Sequence, residues 1–119
     1  DYKAKADAVS QAEIYRNAYA ISICTGDDVL NPTVAGAQAA NELLNIKGVK
    51  ASFILTEYQN QIYVSARSID EVNVQIIMER LGGGGHMNIA GCQMEDRSLA
   101  EGIGIIKHTL DTMIEKGEI

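Results

Sequence analysis

The chain has no tryptophan, one phenylalanine and five tyrosines among its 119 residues. So few rings cannot build a platform on which successive bases of a strand stack. Cations are also scarce: ten Lys and Arg stand against sixteen Asp and Glu, for a net charge of −6. Nonspecific grip on nucleic acid needs a broad basic face that releases counterions from phosphates. Long nucleic acid is therefore not the expected partner, and an anionic ligand would have to be small and held in a local pocket. There are two histidines, His86 and His108, and no Cys-x-x-Cys pair, so the sequence offers no metal-ligand set. The two cysteines, Cys24 and Cys92, sit in apolar, strand-like stretches and read as small, reduced core residues. No apolar run reaches the length of a membrane span and no signal-peptide pattern opens the chain, so direct membrane contact is not expected. The chain starts at Asp1 without methionine and stops soon after a helical segment, as a domain excised from a longer polypeptide would.

What remains is an ordinary globular composition, 46% apolar and 22% charged, long enough for one domain with a core that needs no disulfide or metal. Residues 4–17 carry helix formers with an apolar spacing at Ala8, Ala12 and Tyr15, and predict a lead-in helix. Tyr19–Cys24 reads as a buried strand, and 25–28 as a turn. Asn31-Pro32 gives an N-cap followed by proline in the first helical turn, opening a helix that runs to about Ile46 and ends at Lys47-Gly48. Its face of Ala35, Gly36, Ala39 and Ala40 permits close packing. Ala51–Tyr58 and Gln61–Ser68 read as a hairpin turning at Gln59-Asn60. A helix follows over 71–81, then a short strand over Ile89–Met94. Ser98-Leu99-Ala100-Glu101 is a capping box opening a helix that reaches about Lys116. Gly102 and Gly104 in its early turns predict close packing. The pattern gives an α/β (α+β) domain: a mixed sheet of four to five strands with helices packed on it.

Glycine is concentrated. Gly82, Gly83, Gly84 and Gly85 form an unbroken run that His86 closes. Such a run costs backbone entropy and is kept where the chain must take positive φ or approach something closely. A flexible linker is the plainer reading, but the flanks are apolar and carry no Ser, Glu or Pro. The run lacks the terminal Gly-Lys-Ser/Thr of a Walker loop, and it follows a helix where a dinucleotide fingerprint follows a strand. Upstream, period-two alternation places Tyr63, Ser65 and Arg67 on one face of their strand and Ile62, Val64 and Ala66 on the other, the better core face. Arg67 then projects from a strand end, either as a surface arginine paired with Asp70 or Glu71 or as a binding residue. Backbone amides, a guanidinium and an imidazole are what proteins gather around a phosphate. Asp27-Asp28 has oxygen ligands suited to a hard cation, although a solvated turn is the simpler reading. No nucleophile–base pair stands at readable spacing. On these grounds the domain reads as a phosphate-binding module without its own catalyst.

Ser65-Ala66-Arg67-Ser68, Asn73-Val74, the stretch from Met78 to His86 and Ala90-Gly91 form together a specific signature. It resembles the DHH-associated domain of subfamily 1, whose hallmark is an Arg-Ser stretch, a helix, Gly-Gly-Gly-His and Ala-Gly. The stretches 37–44 and 48–53 look like the subgroup found in membrane-anchored bacterial cyclic-di-AMP phosphodiesterases. The resemblance covers roughly residues 10–115. It implies that residues 1–17 lead in from an upstream DHH domain and that 18–119 form the substrate-binding domain. It also implies two divalent metals, manganese in such enzymes, held by the DHH domain, and a place at the cytoplasmic end of a membrane-anchored protein. Arg67 would pair with a substrate phosphate, the Gly83, Gly84 and Gly85 amides would approach a phosphate oxygen, and His86 would donate to it. Ser65, Ser68 and Asn73 would make sugar, base or supporting contacts. The implied ligand is a cyclic dinucleotide or a short linear one. No Asp-His-His sequence occurs in this chain, so the fragment alone is not expected to hydrolyse it. Two other readings stand beside this one: a nucleic-acid-binding module of a DHH-family exonuclease or oligoribonuclease, and a non-catalytic ligand-sensing domain whose glycines serve packing. A homodimer is permitted without being required.

Overall fold

The computed structural model describes residues 2–25 and 31–119, so the Asp27-Asp28 pair lies outside the described residues. Its elements are α1 (Tyr2–Ser10), β1 (Glu13–Tyr15), β2 (Tyr19–Cys24), α2 (Pro32–Leu43), β3 (Ala51–Tyr58), β4 (Gln61–Ser68), α3 (Val74–Arg80), β5 (Gly84–His86), β6 (Ile89–Glu95) and α4 (Leu99–Glu115). The strands make one six-stranded mixed sheet in the order β1-β2-β3-β4-β6-β5. Only β2 and β3 run parallel, because α2 crosses over between them; the other neighbours are antiparallel. The expected mixed sheet is present, extended to six strands by the three-residue strands β1 and β5 at its two edges.

The sheet is covered differently on its two faces. On one, Phe53 and Leu55 of β3, Ile62, Val64 and Ala66 of β4, and Cys92 and Met94 of β6 pack with residues of α3 and α4, among them Ile77, Met78, Ile106 and Leu110. On the other, Ala4 and Ala8 of α1 and Ala35, Ala39, Ala40 and Leu43 of α2 pack on Ala20 and Ile54. The small residues bring helix and sheet close: a Cβ on Gly36 would lie 2.6 Å from Thr56 Oγ1. Buried serines tie the layers, with Ser22 Oγ donating to the Ala8 carbonyl and Ser52 Oγ to the Ala40 carbonyl, both at 2.6 Å. Helices α1 and α2 lie over the β2–β3 half. The same face of β6 stays open, with Ile89 57% exposed and Gln93 and Glu95 also exposed.

Several boundaries differ from the sequence reading. The lead-in helix stops at Ser10, and Glu13–Tyr15 pairs with β2 instead. Arg16 and Asn17 take φ of 51° and 62° in the turn that follows, which no right-handed helix can contain. Helix α2 ends at Leu43 rather than Ile46, and Asn31 stands at its N-cap without a side-chain cap bond. Helix α3 begins at Val74, because Asp70 has φ 53° and Asn73 caps the helix. Gln59 and Asn60 both adopt positive φ, 52° and 65°, the mirror-image turn that suits the twist of a hairpin. The capping box of α4 forms as expected, Glu101 N–H donating to Ser98 Oγ at 3.1 Å and Ser98 N–H to Glu101 Oε1 at 2.8 Å. A Cβ on Gly102 would lie 2.7 Å from Leu55 Cδ2, whereas one on Gly104 would meet nothing within 4 Å. Close packing therefore accounts for Gly102 only. Both cysteines are free and buried. Among the described residues no helix is long and apolar enough to cross a membrane.

Candidate phosphate and nucleotide site

The glycine run does two different things in succession. Gly82 (φ 85°) ends α3: its N–H donates to the Glu79 carbonyl at 3.1 Å while the Gly83 N–H donates to the Met78 carbonyl at 2.8 Å. This is the Schellman closure of a helix, and it takes up the Gly83 amide that the sequence had assigned to a phosphate. A Cβ on Gly83 would collide with the Gly91 carbonyl oxygen and lie 2.6 Å from Cys92 Cβ, so the turn rests directly on β6. Gly84–His86 then form β5, the last strand of the sheet, antiparallel to β6. Gly85, with φ 143°, has room for no side chain: a Cβ would lie 2.5 Å from the Ile89 carbonyl oxygen. Gly84 faces open space.

Register sets which side chains share the open face. Arg67 of β4 pairs with Ile89 of β6, which pairs with His86 of β5. Two residues along, Ser65 pairs with Gly91, and Gly91 with Gly84; two further along, Tyr63 pairs with Gln93. With neighbouring strands about 4.8 Å apart, the Arg67 and His86 backbones stand about 10 Å apart across Ile89. The structure thus brings Ser65, Arg67, Gly84 and His86 to one surface.

Arg67 is half-buried and its Nη1 donates to the Ala66 carbonyl at 2.9 Å. Burial pushes its pKa down from the usual value, though a guanidinium remains charged. The ion pairs among the described residues are Arg16–Asp111, Arg80–Glu118 and Lys107–Glu13. Neither Asp70 nor Glu71 pairs with Arg67. A partly desolvated cation without a carboxylate partner is poised for an anion from outside.

Beside this row lies an open cleft of about 440 Å³ whose lining residues include Thr33, Tyr63, Ser65, Gln93 and the Gly82–Gly83 turn. Sequence alternation had put Tyr63 on the face of Ser65 and Arg67, but Thr33 and Gln93 were not anticipated. They come from a helix start and a strand that only the crossover topology brings together.

Ser68 and Asn73 do not join this surface. Ser68 is buried; its Oγ donates to the Val72 carbonyl at 2.6 Å and accepts from Asn88 Nδ2 at 3.0 Å. Asn88 also donates to the carbonyls of Asp70 (3.2 Å) and Val72 (3.3 Å). Asn73 Oδ1 accepts from the N–H groups of Gln75 (2.9 Å) and Ile76 (3.3 Å) at the start of α3. These bonds pin the turn between β5 and β6 to the end of β4, and so hold His86 relative to Arg67. Asn88 had no signal in the sequence beyond its place just before the strand expected over Ile89–Met94. His108 lies exposed on α4. Among the described residues no three His, Cys, Asp or Glu side chains gather as a metal site.

Residues 17–116 match the DHHA1 domain family. The chain belongs to that family. It is 44% identical over 94 residues to the cyclic-di-AMP phosphodiesterase PdeA of Listeria monocytogenes, covering 78% of this chain and 14% of that protein. Against the cyclic-di-AMP phosphodiesterase GdpP of Bacillus subtilis it is 38% identical over 118 residues, covering 98% of this chain and 18% of that protein. The DHHA1 chain thus spans less than a fifth of either relative. Among solved structures, an exopolyphosphatase-related protein from Bacteroides fragilis shares the fold with a TM-score of 0.82 at 20% identity, over 94% of this chain and 34% of that one. The resemblance read from the Arg-Ser, Gly-Gly-Gly-His and Ala-Gly motifs is therefore a family relationship.

Proposed function

We propose that this DHHA1 domain is the substrate-gripping part of a phosphodiesterase that hydrolyses cyclic-di-AMP or related dinucleotides. The observation that carries the reading is Arg67: half-buried, unpaired by any described carboxylate, and in one sheet row with His86. A phosphate above Ile89 would accept from the guanidinium on one side and the imidazole on the other. As the terminal strand, β5 adds an unpaired row of backbone groups beside it. These donors would hold the phosphodiester in place and stabilise charge that develops on it as it is cleaved. The identities to PdeA and GdpP support the choice of a dinucleotide.

In this proposal the hydrolytic chemistry belongs to a DHH domain upstream in the same polypeptide, whose two divalent ions, manganese by family resemblance, supply it when bound. In this reading the isolated domain binds its ligand and leaves the cleavage to that upstream domain. The parent would be a membrane-anchored bacterial protein with this domain at its cytoplasmic end.

The test is a backbone-amide NMR titration of the chain with cyclic-di-AMP, its linear product and inorganic phosphate. Shifts at Arg67 and over 84–86 with all three ligands are expected. Unchanged amides there at millimolar phosphate and dinucleotide would remove the proposed grip.

A further inference from the structure

The open face of the sheet changes character along its length. At one end stands the Arg67–Ile89–His86 row. Four residues along β4, about 13 Å away, Tyr63 pairs with Gln93. Between them the Ser65–Gly91–Gly84 row carries nothing larger than a hydroxymethyl group, so the surface there is a trough. Gly91 has no alternative, since a Cβ would lie 2.6 Å from the Val64 carbonyl oxygen. A phosphate seated at the first row leaves the rest of a nucleotide a path along the trough into the 440 Å³ cleft. That volume lies within the roughly 300–1,000 Å³ of ordinary small-ligand pockets.

The cleft is chemically distinct from the phosphate row. Among the described residues no charged side chain lines it, and Tyr63 is the only ring. Thr33 Oγ1 already donates to Asn31 Oδ1 at 2.9 Å. The Gln93 carboxamide, the Tyr63 hydroxyl and the Ser65 hydroxyl bond to no other described residue, and all three residues line the cleft. An anion finds no counter-charge among these side chains. A flat, neutral, hydrogen-bonding group finds a ring and a carboxamide. The carboxamide sets one donor beside one acceptor. On its Hoogsteen edge adenine offers the complement, an acceptor at N7 beside a donor at N6, whereas the same edge of guanine offers acceptors at both N7 and O6 and calls for a guanidinium or ammonium.

We infer that this cleft holds a nucleobase of the substrate, and that Gln93, with the Tyr63 ring as its platform, selects adenine over guanine. The inference rests on the phosphate grip proposed above and adds the base subsite to it.

The experiment repeats the amide titration with 5′-phosphorylated diadenylate, 5′-phosphorylated diguanylate and inorganic phosphate, on the wild-type chain and on Gln93→Leu and Gln93→Arg. Gln93 is exposed, and the dispersion of the amide spectrum reports whether each variant is folded. Diadenylate is expected to move Arg67 and His86 together with Tyr63 and Gln93, and inorganic phosphate only the first pair. Gln93→Leu should weaken diadenylate about tenfold, as loss of a bidentate base contact does, and leave the phosphate shifts in place. Gln93→Arg should turn the preference toward diguanylate. The base assignment is overturned if diadenylate moves Arg67 and His86 but not Tyr63 and Gln93, or if Gln93→Leu keeps the wild-type ratio of the two dinucleotide affinities. If neither end responds to any ligand, the phosphate grip itself falls, and the base subsite with it.

Discussion

Arg67 and His86 flank Ile89 in a single row across three strands, so one exposed apolar side chain separates a guanidinium from an imidazole. Neither polar group has a described partner that a substitution would strand: the Arg67 bond is to its neighbour's carbonyl, and His86 is exposed. Arg67→Ala and His86→Ala should therefore leave the fold intact. In the parent phosphodiesterase proposed above each should lower kcat/KM at least about tenfold, roughly 1.4 kcal/mol of lost transition-state stabilisation. Steady-state kinetics on cyclic-di-AMP, with a melting curve for each variant, make the comparison. Wild-type rates in both would remove the proposed role.

The glycines should respond unequally to alanine. Gly84 has open space where a Cβ would stand, while Gly83 and Gly85 face the backbone of β6. Gly84→Ala is expected to cost no more than about 1 kcal/mol, the ordinary backbone range. Gly83→Ala and Gly85→Ala should each cost about 1–3 kcal/mol through overpacking against atoms that cannot move aside. Urea midpoints of the three variants give the order, and equal losses would contradict this placement of the run.

Ser68 and Asn88 offer a control that separates holding the site from being the site. Removing the Ser68 hydroxyl leaves Asn88 with one acceptor fewer and the Val72 carbonyl without its shortest bond. Ser68→Ala should cost about 1–3 kcal/mol, the penalty for stranding buried polar groups. Dinucleotide affinity, measured by titration well below the melting temperature, should stay within about threefold of wild type. A large loss of affinity at unchanged stability would place Ser68 in direct contact with the ligand.

Burial pushes the Cys92 thiol up to about 11 from an ordinary 9.0. The folded chain therefore keeps its proton where the unfolded chain has lost it. The stabilisation from the neutral, buried thiol is complete below about pH 9 and is lost as pH rises toward 11. Unfolding midpoints should fall across that window, and Cys92→Ala should flatten the fall. Alkylation of Cys92 in the native chain at pH 8 should be slow, because its thiolate is scarce and covered.

The central strands and the last helix were legible because their patterns are strong and local. Alternation in Gln61–Ser68 separated the core face from the face that carries Arg67, and Ser98 with Glu101 marked the start of α4 before any contact was known. The two edge strands were not legible. Glu13–Tyr15 continues a stretch of helix formers and becomes a strand only because Arg16 and Asn17 turn it back onto β2. Gly84–His86 has no strand propensity of its own and is shaped by β6. Arg67 and His86 could be named from residue chemistry alone. Gln93 and Thr33 could not, since each is an unremarkable polar residue until the crossover through α2 sets them beside one cleft. Asn73 and Ser68 carry donor and acceptor groups like those of ligand contacts, but the backbone takes them up first.

The Schellman stop at Gly82–Gly83 and the strand that begins at Gly84 also make the glycine run a counting device. The helix fixes where the first two residues lie, and pairing with Gly91 fixes the third. Because side chains in a strand alternate between faces, one residue more or fewer in the run would turn His86 to the opposite side of the sheet, away from Arg67. The length of the run therefore matters to the site as much as its composition does: it sets the parity that keeps imidazole and guanidinium on the same surface.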